Sequence, residues 1–157
     1  MAKESIRPKK IKKKQSLKAY SHRHQVAALP FRYAASGSLE ILIITSRQTG
    51  RFIIPKGWPM KGRADPEAAA IEAREEAGLK GKIRRKPFGK YSYWKRLADQ
   101  FQLVKVDVYP LEVSRQLETW REKQSRQMAW LSADEAATLI DEPQLITLIR
   151  NFEKSLR

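Results

Sequence analysis

The chain has 157 residues, no cysteine and a formal net charge of +15. That length suits one domain around one hydrophobic core, and an apolar content of 41% is ordinary for a packed fold. Disulfides, thiolate catalysis and cysteine-ligated metal centres are excluded within the chain. No apolar run approaches the roughly 20 residues that span a bilayer, and no apolar segment follows the charged N-terminus as in a secretory signal; the expectation is a cytoplasmic protein that makes no membrane contact.

Residues 1–20 read as a disordered basic tail. Lys3, Arg7, Lys9, Lys10, Lys12, Lys13, Lys14 and Lys18 stand there against Glu4, with too little apolar surface to offset the entropy of ordering. Such a tail is either a solubilising extension or a contact for nucleic acid through counterion release. From residue 21 onward the pattern is that of a single globular domain. Gln25–Phe31 is expected to be a first strand, and Ser36-Gly37-Ser38 a turn. Ile41–Ile44 is a short β-branched run typical of a buried strand. Phe52–Ile54 is a third strand, stopped by Pro55, and 55–64 is a loop. Asp65-Pro66 is expected to open a helix, the aspartate capping the free N–H groups and the proline taking the first helical position; Gly78 closes it in a left-handed cap. Residues 79–94 and 101–111 look like longer strands, with Val104, Val106 and Val108 on one side of the second. Residues 114–126 form a polar stretch and Met128–Leu131 another short strand. Ser132–Glu135 resembles a capping box, and apolar residues at helical spacing predict a last helix from Pro143 to about Leu156. Several strands, one central helix and helices at the end make an α/β layered domain.

Charge placement carries the chemistry. In this basic chain Glu67, Glu72, Glu75 and Glu76 crowd one helix. Positions 72, 75 and 76 are spaced i, i+3 and i+4, so they share one face within a single turn, where like charges repel. A solvated acidic face is one account of that arrangement. The other is a hard divalent cation, which takes carboxylates, carbonyls and water, with phosphate oxygens completing the shell. The loop before the helix holds Gly57, whose backbone can approach a ligand closely, and Lys56, a point charge suited to phosphate.

Loop and helix together resemble the Nudix box, G-x5-E-x7-R-E-U-x-E-E-x-G-U with U a bulky apolar residue. Gly57, Glu72, Glu75, Glu76, Gly78 and Leu79 fall in register with it. Arg63 stands where the first glutamate is expected, Ile71 where the arginine is expected, and Ala73 at the apolar position. Losing both members of an ion pair can be nearly neutral where losing one strands a charge; the expectation is that Ile71 packs and that Arg63 turns to solvent or substrate phosphate. Outside the box, Gln25–Pro30, Ile41–Ile44, Arg51–Pro55, Trp120-Arg121-Glu122, Arg126 and Trp130 look like the diphosphoinositol polyphosphate phosphohydrolase-like group, and the likeness covers roughly residues 22–153.

That resemblance implies a Nudix hydrolase domain over 21–157, built as an α/β/α sandwich with a mixed sheet. It implies a Mg²⁺- or Mn²⁺-dependent pyrophosphohydrolase acting on a phosphorylated small molecule, such as a diphosphoinositol polyphosphate or a dinucleoside polyphosphate. Gly57 (through its carbonyl), Glu72, Glu75 and Glu76 are the implied metal ligands. Glu75, Glu76 and Glu122 are the implied catalytic residues, with Glu112 and Glu118 as rivals to Glu122 for the base. Arg47, Arg51, Lys56 and Arg126 are the implied substrate-binding residues, with Arg23, Arg32 and Lys90 as further candidates. Trp58 and Tyr93 could stack on a base or pack; His22 and His24 are assigned no metal role. The competing reading is a non-catalytic binder of RNA or another polyanion on a decayed Nudix scaffold, suggested by the basic tail together with Arg63 and Ile71.

Overall fold

The computed structural model describes residues 23–157; the basic tail and His22 lie outside them. Strand β1 (His24–Tyr33) is followed by β2 (Leu39–Thr45), β3 (Phe52–Ile53) and β4 (Lys56–Gly57). Helix α1 (Asp65–Ala77) leads into β5 (Leu79–Ile83), β6 (Gly89–Arg96) and β7 (Phe101–Gln116). The chain ends with β8 (Met128–Leu131), α2 (Ala133–Leu139) and α3 (Pro143–Ser155). All eight strands belong to one sheet with the central order β3-β2-β1-β7-β5. The sheet is mixed: β1 runs parallel to β7, with Val26 opposite Asp107, while the other pairings are antiparallel.

Strand β1 is buried on both faces, which is why 25–31 reads as a continuous apolar run. On one face Val26, Ala28, Leu42 and Ile44 pack against Ala68, Ala69, Ala73 and Ala77 of α1. The alanines let the helix axis sit close to the sheet, which presses the glutamate-bearing turn into the protein. On the other face Leu29, Phe31, Ile43 and Val106 pack against α2 and α3 through Ala136, Leu145, Ile149 and Phe152. The protein is therefore an α/β/α sandwich with a mixed sheet. Among the described residues no helix is long and apolar enough to cross a membrane.

Three local expectations change. Asp65 is not the cap of α1: the cap position is Ala64, which makes no side-chain bond to the helix. Asp65 is already helical, and its carboxylate turns instead toward His24. The apparent strand 79–94 is two strands. Both lie along the same edge of β7, β5 against Leu111–Gln116 and β6 against Phe101–Val108. The joint is at 84–88, where Pro87 has no N–H to contribute and Arg84 and Phe88 donate to the carbonyls of Pro110 and Val108. Within the loop at 55–64, Lys56 and Gly57 add a two-residue strand to β1. The expectations for Gly78 (φ 67°, ψ 30°), for the Ser132–Glu135 capping box and for the last helix match the structure.

Candidate active site

The site forms where α1 passes beneath β4. Pairing of Lys56 and Gly57 with Ala27 and Val26 fixes that short strand, and the Ala28 N–H bond to the Pro55 carbonyl anchors the approach to it. Gly57 then lies directly over Glu72: a Cβ there would sit 2.1 Å from a carboxylate oxygen of Glu72. The Lys56 N–H donates to Glu76 Oε2 at 3.3 Å. Glu76 is only 6% exposed, while Glu72 and Glu75 are half-buried. The helical spacing read from the sequence thus keeps the three glutamates on one turn, and of the three it is Glu76 that lines a cavity of about 490 Å³; Glu75 pairs instead with Arg121 at 3.8 Å.

Ionisation in this turn is costly. Burial pushes the Glu76 carboxyl up to about 8; Glu72 and Glu122 add repulsion, and Arg126 and Lys56 oppose the shift. Burial also pushes Glu72 up to about 7, with Glu75 and Glu122 contributing. Lys56 is drawn down to about 8, first by burial, with Lys95 and Arg126 adding to it and Glu76 opposing. Carboxylates that share a desolvated turn and resist ionisation are groups whose charge a cation would relieve.

The segment 118–127 closes the other side. The Glu122 N–H bonds the Glu75 carbonyl at 3.0 Å, tying this segment to α1. The Glu122 carboxylate meets Arg47 Nε at 3.0 Å and Arg126 Nη2 at 3.4 Å. Arg126 is buried and bridges three groups: Glu76 at 3.4 Å, Glu122, and the Thr45 carbonyl at 2.9 Å. It therefore lines the cavity as a strut between two carboxylates. Arg47, Arg51 and Lys56 line it too, with Arg51 near Asp141 and Glu142, both at 3.6 Å.

The rival bases fall elsewhere. Glu112 borders a groove with Lys82–Lys86 at the β5 edge, and the Glu118 carbonyl accepts from Lys123. Arg32 pairs with Glu40, and Lys90 with Asp107. Arg63 is exposed, and Ile71 is half-buried beside Leu79 and Leu111.

One cluster had no sequence signal beyond the lone histidine. His24 Nε2 lies 3.5 Å from Asp65 and 3.4 Å from Asp107. Among the described residues it is the one trio of histidine and acidic groups whose ligand atoms all fall within 4.8 Å of one another. It sits at the start of α1, about 16 Å along the helix from Glu76 at 1.5 Å per residue. Residues 24, 65 and 107 meet through the β1–β7 pairing, a relation no local spacing reveals.

No family model matches the chain. Nudix hydrolase 21, chloroplastic, of Arabidopsis thaliana is 33% identical over 121 residues, covering 75% of this chain and 60% of its own length. Nudix hydrolase 16, mitochondrial, of Arabidopsis thaliana is 35% identical over 121 residues, covering 69% of this chain and 67% of its own length. Among solved structures, a C. elegans Ap4A hydrolase in a binary complex superposes with a TM-score of 0.63 at 20% identity, covering 85% of this chain and 96% of that one. The chain belongs to the Nudix hydrolase family. It spans between about 60% and two thirds of the length of these two plant relatives.

Proposed function

We propose that this chain is a divalent-metal-dependent pyrophosphohydrolase that cleaves a phosphoanhydride bond in a highly phosphorylated substrate, such as a diphosphoinositol polyphosphate or a dinucleoside polyphosphate. The observation that carries the reading is the placement of Glu72 against Gly57, which leaves no room for a side chain, and of Glu76 beneath the Lys56 N–H, both carboxyls desolvated and pushed toward neutrality. The donor set is all oxygen, which suits Mg²⁺ or Mn²⁺. Glu72, Glu75, Glu76 and the Gly57 carbonyl are the groups that would hold the ion. When bound, such an ion neutralises phosphoryl oxygens and lowers the pKa of a water.

The chain's own residues supply the rest. Glu122 carries a carboxylate held by two arginines that line the cavity, Arg47 and Arg126, and it is the group proposed to take a proton from an attacking water. Lys56, Arg47 and Arg51 present positive charge to the diphosphate. Arg126 positions Glu76 and Glu122, so any contact it makes with substrate comes at their expense.

The test is a substrate panel with Mg²⁺ and with Mn²⁺, run on the full chain and on Glu76→Gln. The parent should release phosphate or a nucleotide product. The variant should lose about 100-fold or more, beyond the 10- to 100-fold that removal of a supporting contact costs a metal site. A parent without turnover, whose salt-sensitive RNA binding is untouched by Glu76→Gln, would overturn the hydrolase in favour of a polyanion binder.

A further inference from the structure

The trio of His24, Asp65 and Asp107 stands apart from the groups assigned to hydrolysis. None of the three lines the cavity that Glu76 lines. Each comes from a different segment: His24 opens β1, Asp65 sits in the first turn of α1, and Asp107 lies within β7. Parallel pairing sets His24 opposite Lys105 and Val26 opposite Asp107. Alternation along the strands then turns His24, Val26 and Asp107 to the face that packs on α1. Asp65 meets them there from the helix.

An ion pair is the competing account, and the distances decide against it. Nε2 carries at most one proton, yet it faces two carboxylate oxygens almost equally, Asp65 Oδ2 at 3.5 Å and Asp107 Oδ2 at 3.4 Å. A charge-assisted N–H···O bond closes to about 2.7–2.9 Å, so neither contact has that form. Around a tetrahedral ion with bonds of about 2.0–2.2 Å, neighbouring ligand atoms stand about 3.4 Å apart. Around octahedral Mg²⁺, with bonds of about 2.1 Å, adjacent ligand atoms stand about 3.0 Å apart. The observed separations match the tetrahedral edge. All three ligand atoms lie within 4.8 Å of one another. The side chains of His24 and Asp65, each 39% exposed, are free to close the third edge on Asp107, which is 17% exposed. Lys90 Nζ approaches Asp107 through its other oxygen, Oδ1, at 3.7 Å, and leaves Oδ2 available.

We propose that His24 Nε2, Asp65 Oδ2 and Asp107 Oδ2 form a second metal site, selective for a borderline divalent ion such as Zn²⁺, with water as the fourth ligand. Imidazole suits Zn²⁺, whereas the glutamates further along α1 offer oxygen alone, the donor of Mg²⁺ and Mn²⁺. One helix thus carries two sites that take different classes of ion. The ion staples the first turn of α1 to β1 and β7, joining residues 41 and 42 positions apart, and clips that close long loops gain the most from chain entropy. The site goes beyond the hydrolase reading and does not depend on it.

The test is calorimetric titration with Zn²⁺ at neutral pH and saturating Mg²⁺, on the full chain and on Glu76→Gln, which removes uptake at the glutamates. The chain has two histidines and no cysteine, so two substitutions identify the nitrogen donor. Glu76→Gln should take up one Zn²⁺, and His22→Ala added to it should bind equally well. Adding His24→Ala or Asp107→Asn should weaken binding about 100-fold or more, since loss of a mere supporting group costs 10- to 100-fold. Lys90→Met, which frees Asp107 of its cation, should tighten it. Zinc at 100-fold above Kd should raise the unfolding midpoint by about 5–10 °C, with no rise in the His24 and Asp107 variants; melts without zinc check that each variant folds. Co²⁺ in place of Zn²⁺ should give the strong visible bands of a four-coordinate ion, lost in His24→Ala. Zinc binding left unchanged by His24→Ala and Asp107→Asn, or lost with His22→Ala instead, overturns the site, as does a Glu76→Gln chain that binds no zinc.

Discussion

Gly57 and Glu72 show how one residue constrains another. A methyl group at 57 would fall 2.1 Å from the Glu72 carboxylate oxygen, and the obstructing atom is the far end of a flexible side chain. Gly57→Ala is therefore expected to spare the fold and damage the site. Glu72 swings aside, the unfolding midpoint stays near that of the parent, and Mn²⁺ affinity drops about 10- to 100-fold, the scale on which displaced supporting groups act. Calorimetry with Mn²⁺ beside a thermal melt separates the two; a large drop in midpoint with intact affinity would contradict this account. The glutamates themselves were legible in the sequence, because a helix repeats every 3.6 residues and the run from Glu72 to Glu76 stays within one turn. The part played by Arg126 was not legible. Its bonds to Glu76 and to the Thr45 carbonyl join residues 50 and 81 positions away, and only packing shows that an arginine in a polar stretch is buried between carboxylates.

At the scale of the element, α1 is aimed by its ends. Its C-terminus is clamped from three sides. Gly78 adopts the left-handed conformation, Gln116 Nε2 donates to the carbonyls of Ala77 (3.0 Å) and Gly78 (3.1 Å), and the Trp120 ring lies where a Cβ on Gly78 would go, at 2.3 Å. Unlike the carboxylate end of Glu72 beneath Gly57, the obstructing atoms here belong to the rigid fused rings of a half-buried indole. Gly78→Ala should lower stability by about 2–4 kcal/mol, from left-handed strain and overpacking together, as read by denaturant unfolding. A loss below 1 kcal/mol would mean that the clamp is loose. The left-handed cap was readable from a glycine closing an alanine-rich helix; the tryptophan that reinforces it, 42 residues on, was not. The division of 79–94 into β5 and β6 has no local signal for a related reason. Both halves carry strand-like residues, and the joint is defined by which carbonyls of β7 remain for Arg84 and Phe88 to bond.

For the molecule as a whole, the site sets a dependence of stability on pH. Glu72 and Glu76 titrate in the folded protein near 7 and 8, above the usual 4.5. Their contribution to stability is fully present below pH 4.5 and is lost as pH rises through those folded values. Lys56 moves from 10.5 down to about 8, so its contribution is present above pH 10.5 and lost as pH falls through 8. The three together place the least stable metal-free form near pH 8. With a chelator present, the unfolding midpoint should fall between about pH 5.5 and pH 8, and Glu76→Gln should flatten that fall. Saturating Mn²⁺ should raise the midpoint more at pH 8 than at pH 5.5, since the ion binds deprotonated ligands. Thermal melts across that range test this directly, and metal stabilisation that does not grow with pH would count against the assignment of the glutamates as ligands.

The amino-acid sequence alone determined what is local: the helix and its glutamate-bearing face, Gly78 at its end, the β-branched strands and the capped segment at Ser132, because each depends on residues within a few positions of one another. Tertiary structure decided what is distant: the pairing of Lys56 and Gly57 with β1, the Arg126 strut, the trio of His24, Asp65 and Asp107, and the exposed rings of Trp58, Trp94 and Phe101 around one cavity. These depend on which strands lie side by side in a mixed sheet, and strand adjacency is set by burial of both its faces across the whole domain, a condition that no short stretch of sequence contains.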